Sequence, residues 1–312
     1  MAVTEQLKSI GHTISFTCGI SARIAKRQAC SRIIMYHGVT AATADAFGEQ
    51  LQYLAANFRI VSPATMLANL VHNGSPAADE MVLTFDDGLR NNLTVVYPLL
   101  KKFNAPATFF VCPGLLGSGR WLWNHEARCR LQTLGRESRL ELARNLGATS
   151  HTVEGIISWM KELKLQERRR VEDVLRVRTR HYTASHQQRE AFDIMSWDEL
   201  RSLDPALITI GSHTFSHPIL TALTDEQLEF ELCESRRALE EKLNRPVDYF
   251  CYPNGSYDTR VHRAVTAAYS AAFTTESGVV KNGQSHDLHR LPRIPAAETP
   301  ALMAWRLHRP GA

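Results

Sequence analysis

Two short segments hold the residues with the greatest chemical potential. Thr84-Phe85-Asp86-Asp87-Gly88 sets two carboxylates side by side, and Gly211-Ser212-His213-Thr214-Phe215-Ser216-His217-Pro218 sets two imidazoles four residues apart. Two imidazoles and one carboxylate hold a divalent ion and leave positions open for water and substrate, the arrangement of a catalytic rather than a structural site. One helical turn between the histidines is expected to bring both rings to one side. The other carboxylate is then free to act as general base toward water whose pKa the ion lowers from about 15.7 toward roughly 7. Hydrolysis of an amide or ester is the implied chemistry. Each segment alone has an ordinary explanation, because an Asp-Asp pair at a strand end is often a helix cap and its neighbour, and a solitary H-x-x-x-H arises by chance on surface helices. Together, each directly after an apolar run, they point to a metal site.

The surrounding elements must bring these segments together. From residue 32, short apolar runs alternate with helical periodicity, the pattern of strand-helix-strand units and a parallel sheet or barrel. Residues 32–36, 81–85, 108–111, 207–210, 249–252 and 271–274 read as buried strands. Between them, Phe47, Leu51, Leu54 and Phe58 repeat at helical spacing, as do Leu93, Val96, Leu100 and Phe103. Thr224 with Gln227 three residues later forms a capping box that opens a helix burying Leu228, Leu232, Leu239 and Leu243. Parallel α/β folds place catalytic groups at the carboxyl ends of strands, where both segments fall. From about 125 to 190 strand signals stop and a helical insertion is expected. The expected division is an N-terminal extension over 1–30, a catalytic domain over 31–300 and a C-terminal tail over 301–312, within which 301–308 reads as helix.

Composition bounds the class. With 312 residues, 44% apolar and 22% charged, the chain reads as one elaborated soluble domain, which excludes fibrous and coiled-coil folds. A net charge of +4 implies no nucleic-acid partner. The basic run Arg168, Arg169, Arg170, Arg176, Arg178 and Arg180 is interrupted by Glu167, Glu172 and Asp173 and reads as a solvated helix face. The six cysteines, at 18, 30, 112, 129, 233 and 251, contain no C-x-x-C pair, so a reducing compartment is expected rather than a disulfide framework. The apolar stretch over 10–24 is too broken by polar residues for a signal core, and no run is long enough to span a bilayer. The expected location is therefore cytoplasmic, with a peripheral membrane contact by an interfacial N-terminal helix left open.

With these residues in view, the chain resembles the polysaccharide deacetylase superfamily, carbohydrate esterase family four, whose shared unit is the NodB-homology domain. The likeness runs from Met35-Tyr36-His37-Gly38 through T-F-D-D-G, Ser196-Trp197-Asp198-Glu199-Leu200, G-S-H-T-F-S-H-P and Phe250-Cys251-Tyr252-Pro253-Asn254-Gly255 to Arg290-Leu291-Pro292-Arg293-Ile294. It covers roughly residues 30 to 297, apart from the helical stretch. It implies an α/β fold, a distorted (β/α) barrel of about seven strands, and removal of acetyl groups from N-acetylated sugars of a polysaccharide or glycan, with an exopolysaccharide favoured by the subgroup. Carried over by position, it makes Asp86 the general base and Asp87, His213 and His217 the ligands of a divalent ion, with Zn²⁺ the default for such a set. The segment from Phe250 matches the family's F-R-P-P-Y-G, so the Asn254 amide is expected to stabilise the oxyanion.

The sequence departs from the family pattern at two points. Cys251 stands where the base-orienting arginine is usual, and in the subgroup with a Y-P-x-G version of the segment an arginine of a later R-I pair replaces it, here Arg293, with Arg290 the runner-up. The general acid is usually a histidine in a leucine-x-histidine context, and no clean equivalent exists; His289 is the candidate, with His125 behind it. Substrate contacts are expected from Tyr252 and Pro253, from Trp123 and Trp121 as ring platforms for sugars, and from His37 at the end of the first strand. An O-acetyl esterase or another metal-dependent amidase uses the same site chemistry, and a catalytically silent glycan-binding module would keep the fold without turnover.

Overall fold

The computed structural model describes residues 2–73, 79–281 and 286–309. Nine strands occur among them: β1 (Cys30–Tyr36), β2 (Arg59–Ile60), β3 (Glu80–Phe85), β4 (Ala107–Val111), β5 (Ile208–Ser212), β6 (Tyr249–Cys251), β7 (Ala271–Ser277), β8 (Val280–Lys281) and β9 (Leu291–Pro295). Seven of these pair in parallel in the order β1, β3, β4, β5, β6, β7, β9, and β9 returns to β1, which closes a barrel. Helices surround it, so the expected (β/α) barrel of about seven strands is the observed fold. β2 lies parallel to β3, and β8 runs antiparallel to the start of β1.

Closure explains why the strands read as continuous apolar runs. Every residue of β3 and β4 is buried, because one face meets the outer helices and the other fills the barrel. The period of two is visible in the packing: Ile34, Leu83, Phe109 and Phe250 belong to the large outer core, whereas Ile33, Val82, Phe110, Cys251, Phe273 and Leu291 form a smaller inner one. Thr84, Asp86, Cys251 and Arg293 share the inward parity, so the strand pleat aims them at a common interior point. Gly211 completes the fit on β5, since a Cβ there would lie 2.4 Å from the Phe110 ring.

Between β4 and β5 the chain forms helices Trp123–Thr133, Arg136–Leu146, Val153–Glu162, Leu165–Arg178 and His186–Phe192. The first four enclose their own apolar cluster, including Leu131, Ile156, Met160 and Leu175, which Ile219 from the barrel side joins. Here one expectation fails. Arg168 and Glu172 do not lie on a solvated face; both are buried and paired at 3.0 Å, and the Arg168 guanidinium sits 4.5 Å from the centre of the Trp123 ring. Thr224 caps the helix Asp225–Glu229 by accepting from the Gln227 amide in the expected capping box, a contribution of about 1 kcal/mol. At the chain ends, helices Ala2–Thr17 and Ile20–Arg27 precede β1, and Pro300–Arg306 packs near them through His12 and Trp305. Residues 310–312 of the expected tail lie outside the described residues.

Candidate active site

The carboxylates are delivered by the end of β3. The Asp86 amide donates to Tyr36 O, which keeps it in register with β1, and then the backbone turns sharply through positive φ at Asp87 (79°) and Gly88 (69°). A Cβ at Gly88 would come within 3.1 Å of Val111, so this turn against β4 calls for glycine. Both carboxylates end up buried. Asp86 is met by Arg293 of β9, which is fully buried and forks onto it with Nη1 to Oδ1 at 2.8 Å and Nη2 to Oδ2 at 2.7 Å. The guanidinium is itself fixed by donating to Thr274 O, Thr84 Oγ1 and Cys251 Sγ at 2.8, 3.0 and 3.1 Å. Burial opposes ionisation of Asp86, but the Arg293 charge and hydrogen bonds outweigh it and hold the pKa below the usual carboxylate value. The same pairing raises the pKa of Arg293 against the effect of its burial. Arg290, the runner-up, is exposed and bonds Tyr257 Oη instead.

The histidines approach Asp87 from the other side. His213 follows β5 directly, and its Nδ1 lies 2.8 Å from Cys251 O. A carbonyl only accepts, so in the neutral ring Nδ1 carries the hydrogen and Nε2 faces Asp87 Oδ1 with its lone pair, at 3.5 Å. His217 Nε2 is also 3.5 Å from Asp87 Oδ1. The expected helical turn between the two rings is absent. Residues 213–219 form a loop with positive φ at Thr214 (68°) and His217 (59°), and Pro218 disfavours the helical region at the residue before it. The loop is held by Thr214 Oγ1 accepting from the His217 amide, by the Glu231 carboxylate accepting from Ser216 N and Oγ, and by Trp123 Nε1 donating to His217 O at 3.1 Å.

These atoms fit a divalent cation. Ligand atoms about 2.0–2.2 Å from a tetrahedral ion lie roughly 3.4 Å apart, and Asp87 stands 3.5 Å from each imidazole nitrogen. All three ligand atoms fall within 4.8 Å of one another. Burial opposes charge on Asp87, yet the neighbouring His213, then His37 and His217, hold its pKa far below normal. Burial pushes His217 down to about 3, which leaves it the neutral imidazole that ligation requires. At His213 burial works the same way, but Cys251 and Asp87 outweigh it and raise its pKa above the usual histidine value.

Asn254 sits just after β6 in the turn Pro253–Gly255, in a left-handed conformation with φ 54°, and Pro253 beside it is buried. His37 lies exposed at the end of β1, within electrostatic reach of Asp86 and Asp87. Three expectations are corrected. Tyr252 is completely buried against Phe250 and Tyr257 with its hydroxyl on His289 O, so its ring offers no open platform. Trp123 is also buried, its indole N–H spent on the His217 loop and its ring covered by Arg168. His289 precedes β9, and its Nε2 bonds Tyr269 O, which precedes β7. It therefore stands toward the amino ends of the strands, away from the carboxylates. His125, on the insertion helix Trp123–Thr133, is by contrast within electrostatic reach of Asp87 and His217; its Nδ1 is buried without a partner, and burial lowers its pKa.

Thr84, Thr274 and Glu231 were not singled out from sequence. Thr84 lies in the T-F-D-D-G segment at inward parity, a usable signal, whereas Glu231 reaches the loop from the π-helical stretch Phe230–Glu234, which local sequence does not mark. A cavity of about 760 Å³ adjoins that loop, lined by Trp121, Trp123, Arg168, Arg169, Ser216 and Glu231 among others. It lies beside the ligand cluster rather than around it, since Asp87, His213 and His217 do not line it.

Comparison with known proteins agrees with this architecture. A family model described as polysaccharide deacetylase matches residues 73–272. The putative polysaccharide deacetylase YxkH of Bacillus subtilis (strain 168) is 22% identical over 281 residues, covering 88% of this chain and 75% of that protein. Among solved structures, the Streptococcus pyogenes deacetylase PplD in complex with acetate superposes with a TM-score of 0.57 at 20% identity, covering 88% of this chain and 96% of that one. IcaB from Ammonifex degensii does so with 0.57 at 19% identity, covering 90% and 97%.

Proposed function

Since the chain belongs to the polysaccharide deacetylase family, and so is a hydrolase acting on carbon–nitrogen bonds of acetylated polysaccharides, we propose that it removes acetyl groups from N-acetylated sugar residues by metal-dependent hydrolysis. The observation that carries this reading is the convergence of Asp87, His213 and His217 at ligand spacing, next to an Asp86 clamped by Arg293. Asp87, His213 and His217 would hold a divalent ion, which when bound supplies Lewis acidity toward the acetamide carbonyl and activates water; the mixed nitrogen and oxygen set favours Zn²⁺.

The remaining steps belong to the chain itself. Asp86 accepts the proton of the attacking water, and the two-pronged grip of Arg293 keeps it ionised and fixed in direction. The Asn254 backbone amide receives the developing oxyanion, a role that does not depend on its side chain. His125 delivers a proton to the departing amine, in place of His289. Trp121, half-exposed and bonded through its indole to Asp193, contributes a ring face at the adjoining cavity, whose volume suits a sugar unit. Arg293 also weakens the reading of a silent glycan-binding module, because the arginine missing at position 251 is replaced in space. Six free cysteines favour a reducing, cytoplasmic setting.

The test combines metal analysis with acetate release from defined N-acetyl oligosaccharides. One equivalent of divalent ion and release of acetate are expected. A metal-loaded protein that frees no acetate from any N-acetylated glycan, or frees it only from O-acetyl esters, overturns the reading.

A further inference from the structure

Among the described residues, eight large apolar side chains are exposed, and four of them are isoleucines within fifteen positions: Ile10, Ile14, Ile20 and Ile24, at 51, 54, 44 and 41%. They occur as two pairs at i, i+4, one on each N-terminal helix, so each pair forms one stripe. The helices cannot turn these stripes inward, because their other faces are occupied. His12 packs on Trp305 and Phe16 on Tyr53, the hydroxyls of Ser15 and Ser21 are buried and bonded at 2.8 Å, and the Ala25 carbonyl accepts from the buried Arg32.

Within residues 9–28, the span that carries both stripes, the charge has one sign. Arg23, Lys26 and Arg27 are exposed, and residues 9–28 contain no aspartate or glutamate. We infer that helices Ala2–Thr17 and Ile20–Arg27 form a docking face for an anionic lipid surface, with the isoleucines entering the acyl boundary and the cations meeting phosphate headgroups. A short apolar stripe with a purely basic margin fits such a surface in both its components. No helix of the described residues is long and apolar enough to cross a membrane, so the contact is peripheral. The second of these helices leads into the amino end of β1, whereas Asp86, Asp87, His213 and His217 lie at the carboxyl ends. Docked this way, the active-site mouth points away from the lipid and toward a glycan extending into solution.

Flotation of the full chain with phosphatidylcholine vesicles, with and without phosphatidylglycerol, tests this without reference to catalysis. Binding is expected only with the anionic lipid, and added salt should weaken it. Arg23→Gln/Lys26→Gln/Arg27→Gln should reduce partitioning on the order of a hundredfold, at roughly fivefold per cation. Ile10→Ser/Ile14→Ser/Ile20→Ser/Ile24→Ser should abolish it with the circular dichroism melt unchanged; if that variant melts early, Ile14→Ser and Ile20→Ser taken singly must each weaken binding. Wild-type protein that ignores anionic vesicles refutes the inference. So does binding that survives the isoleucine changes, or a dimer in light scattering that those changes dissociate, since the face would then serve a second copy.

Discussion

Replacing Arg293 with methionine isolates the contact on which the orientation of Asp86 depends. The guanidinium is fully buried and donates five hydrogen bonds, two of them to Asp86. Methionine fills much of the space but leaves a buried carboxylate unpaired, which costs about 3–5 kcal/mol of stability, or two to three and a half powers of ten in the folding constant. Asp86→Asn strands the cation instead and should cost a similar amount. The double variant removes both charges, so its loss should fall short of the sum of the singles by about 2–3 kcal/mol. Denaturant unfolding of the chelator-treated protein measures all four corners of the cycle with no ion to obscure the pair. Acetate release from Arg293→Met should drop about a hundredfold through misplacement of the base, with the ion still bound. Additivity within about 0.5 kcal/mol would refute the idea that the two residues work as one unit.

Other outcomes follow from the same geometry. Chelation should abolish acetate release and Zn²⁺ should restore it; His217→Ala should lose the ion while Asp86→Asn retains it, as read by metal analysis. His125→Ala should lower kcat by about 10²–10⁴ with metal content intact, whereas His289→Ala should leave kcat unchanged, and the reverse result would return the acid role to His289. Glu126 joins two insertion helices through Arg176 and also accepts from Arg130 on its own helix; burial opposes its charge, but those hydrogen bonds depress its pKa. Because a depressed carboxylate stabilises above its unfolded pKa of about 4.3, Glu126→Gln should cost about 1–3 kcal/mol near neutrality, and the gap to wild type should close as pH falls through the folded value.

The barrel was legible because its strands are buried on both faces, which makes β3 and β4 largely apolar runs without the alternation that a half-exposed sheet would show. Asp86, Asp87, His213 and His217 stood out by residue type and by their place at strand ends, and Arg293 through the family likeness. Legibility stopped where a role depended on direction. Tyr252 and Trp123 follow or open elements just as exposed platforms do, and local sequence does not say that Phe250, Tyr257 and Arg168 cover them. His289 lies in a polar loop just before the 290–294 segment, and that segment's weak strand signal hides that the loop enters a barrel strand at its amino end. Arg168 and Glu172 looked solvated because mixed charge at helical spacing is common on surfaces, and local sequence does not show that Trp123, 45 positions earlier in the chain, lies against the Arg168 guanidinium.

Backbone conformation separates the scaffold from the site. Of the six non-glycine residues with positive φ among the described residues, Asn104 and Asn244 end helices, where asparagine tolerates the left-handed region as a normal stop. The other four, Asp87, Thr214, His217 and Asn254, belong to the three loops at the carboxyl ends of β3, β5 and β6. A β-branched threonine in that region is a genuine outlier, and each such residue costs about 1–3 kcal/mol unless its surroundings enforce it. The enforcement comes from a distance: Glu231 holds Ser216 from the helix after the loop, and Trp123 holds His217 O from the insertion. The insertion is thus coupled to His217 through one hydrogen bond. The ligand geometry is set by these tertiary contacts rather than by the spacing of the histidines, which is why the helical turn suggested by that spacing never forms.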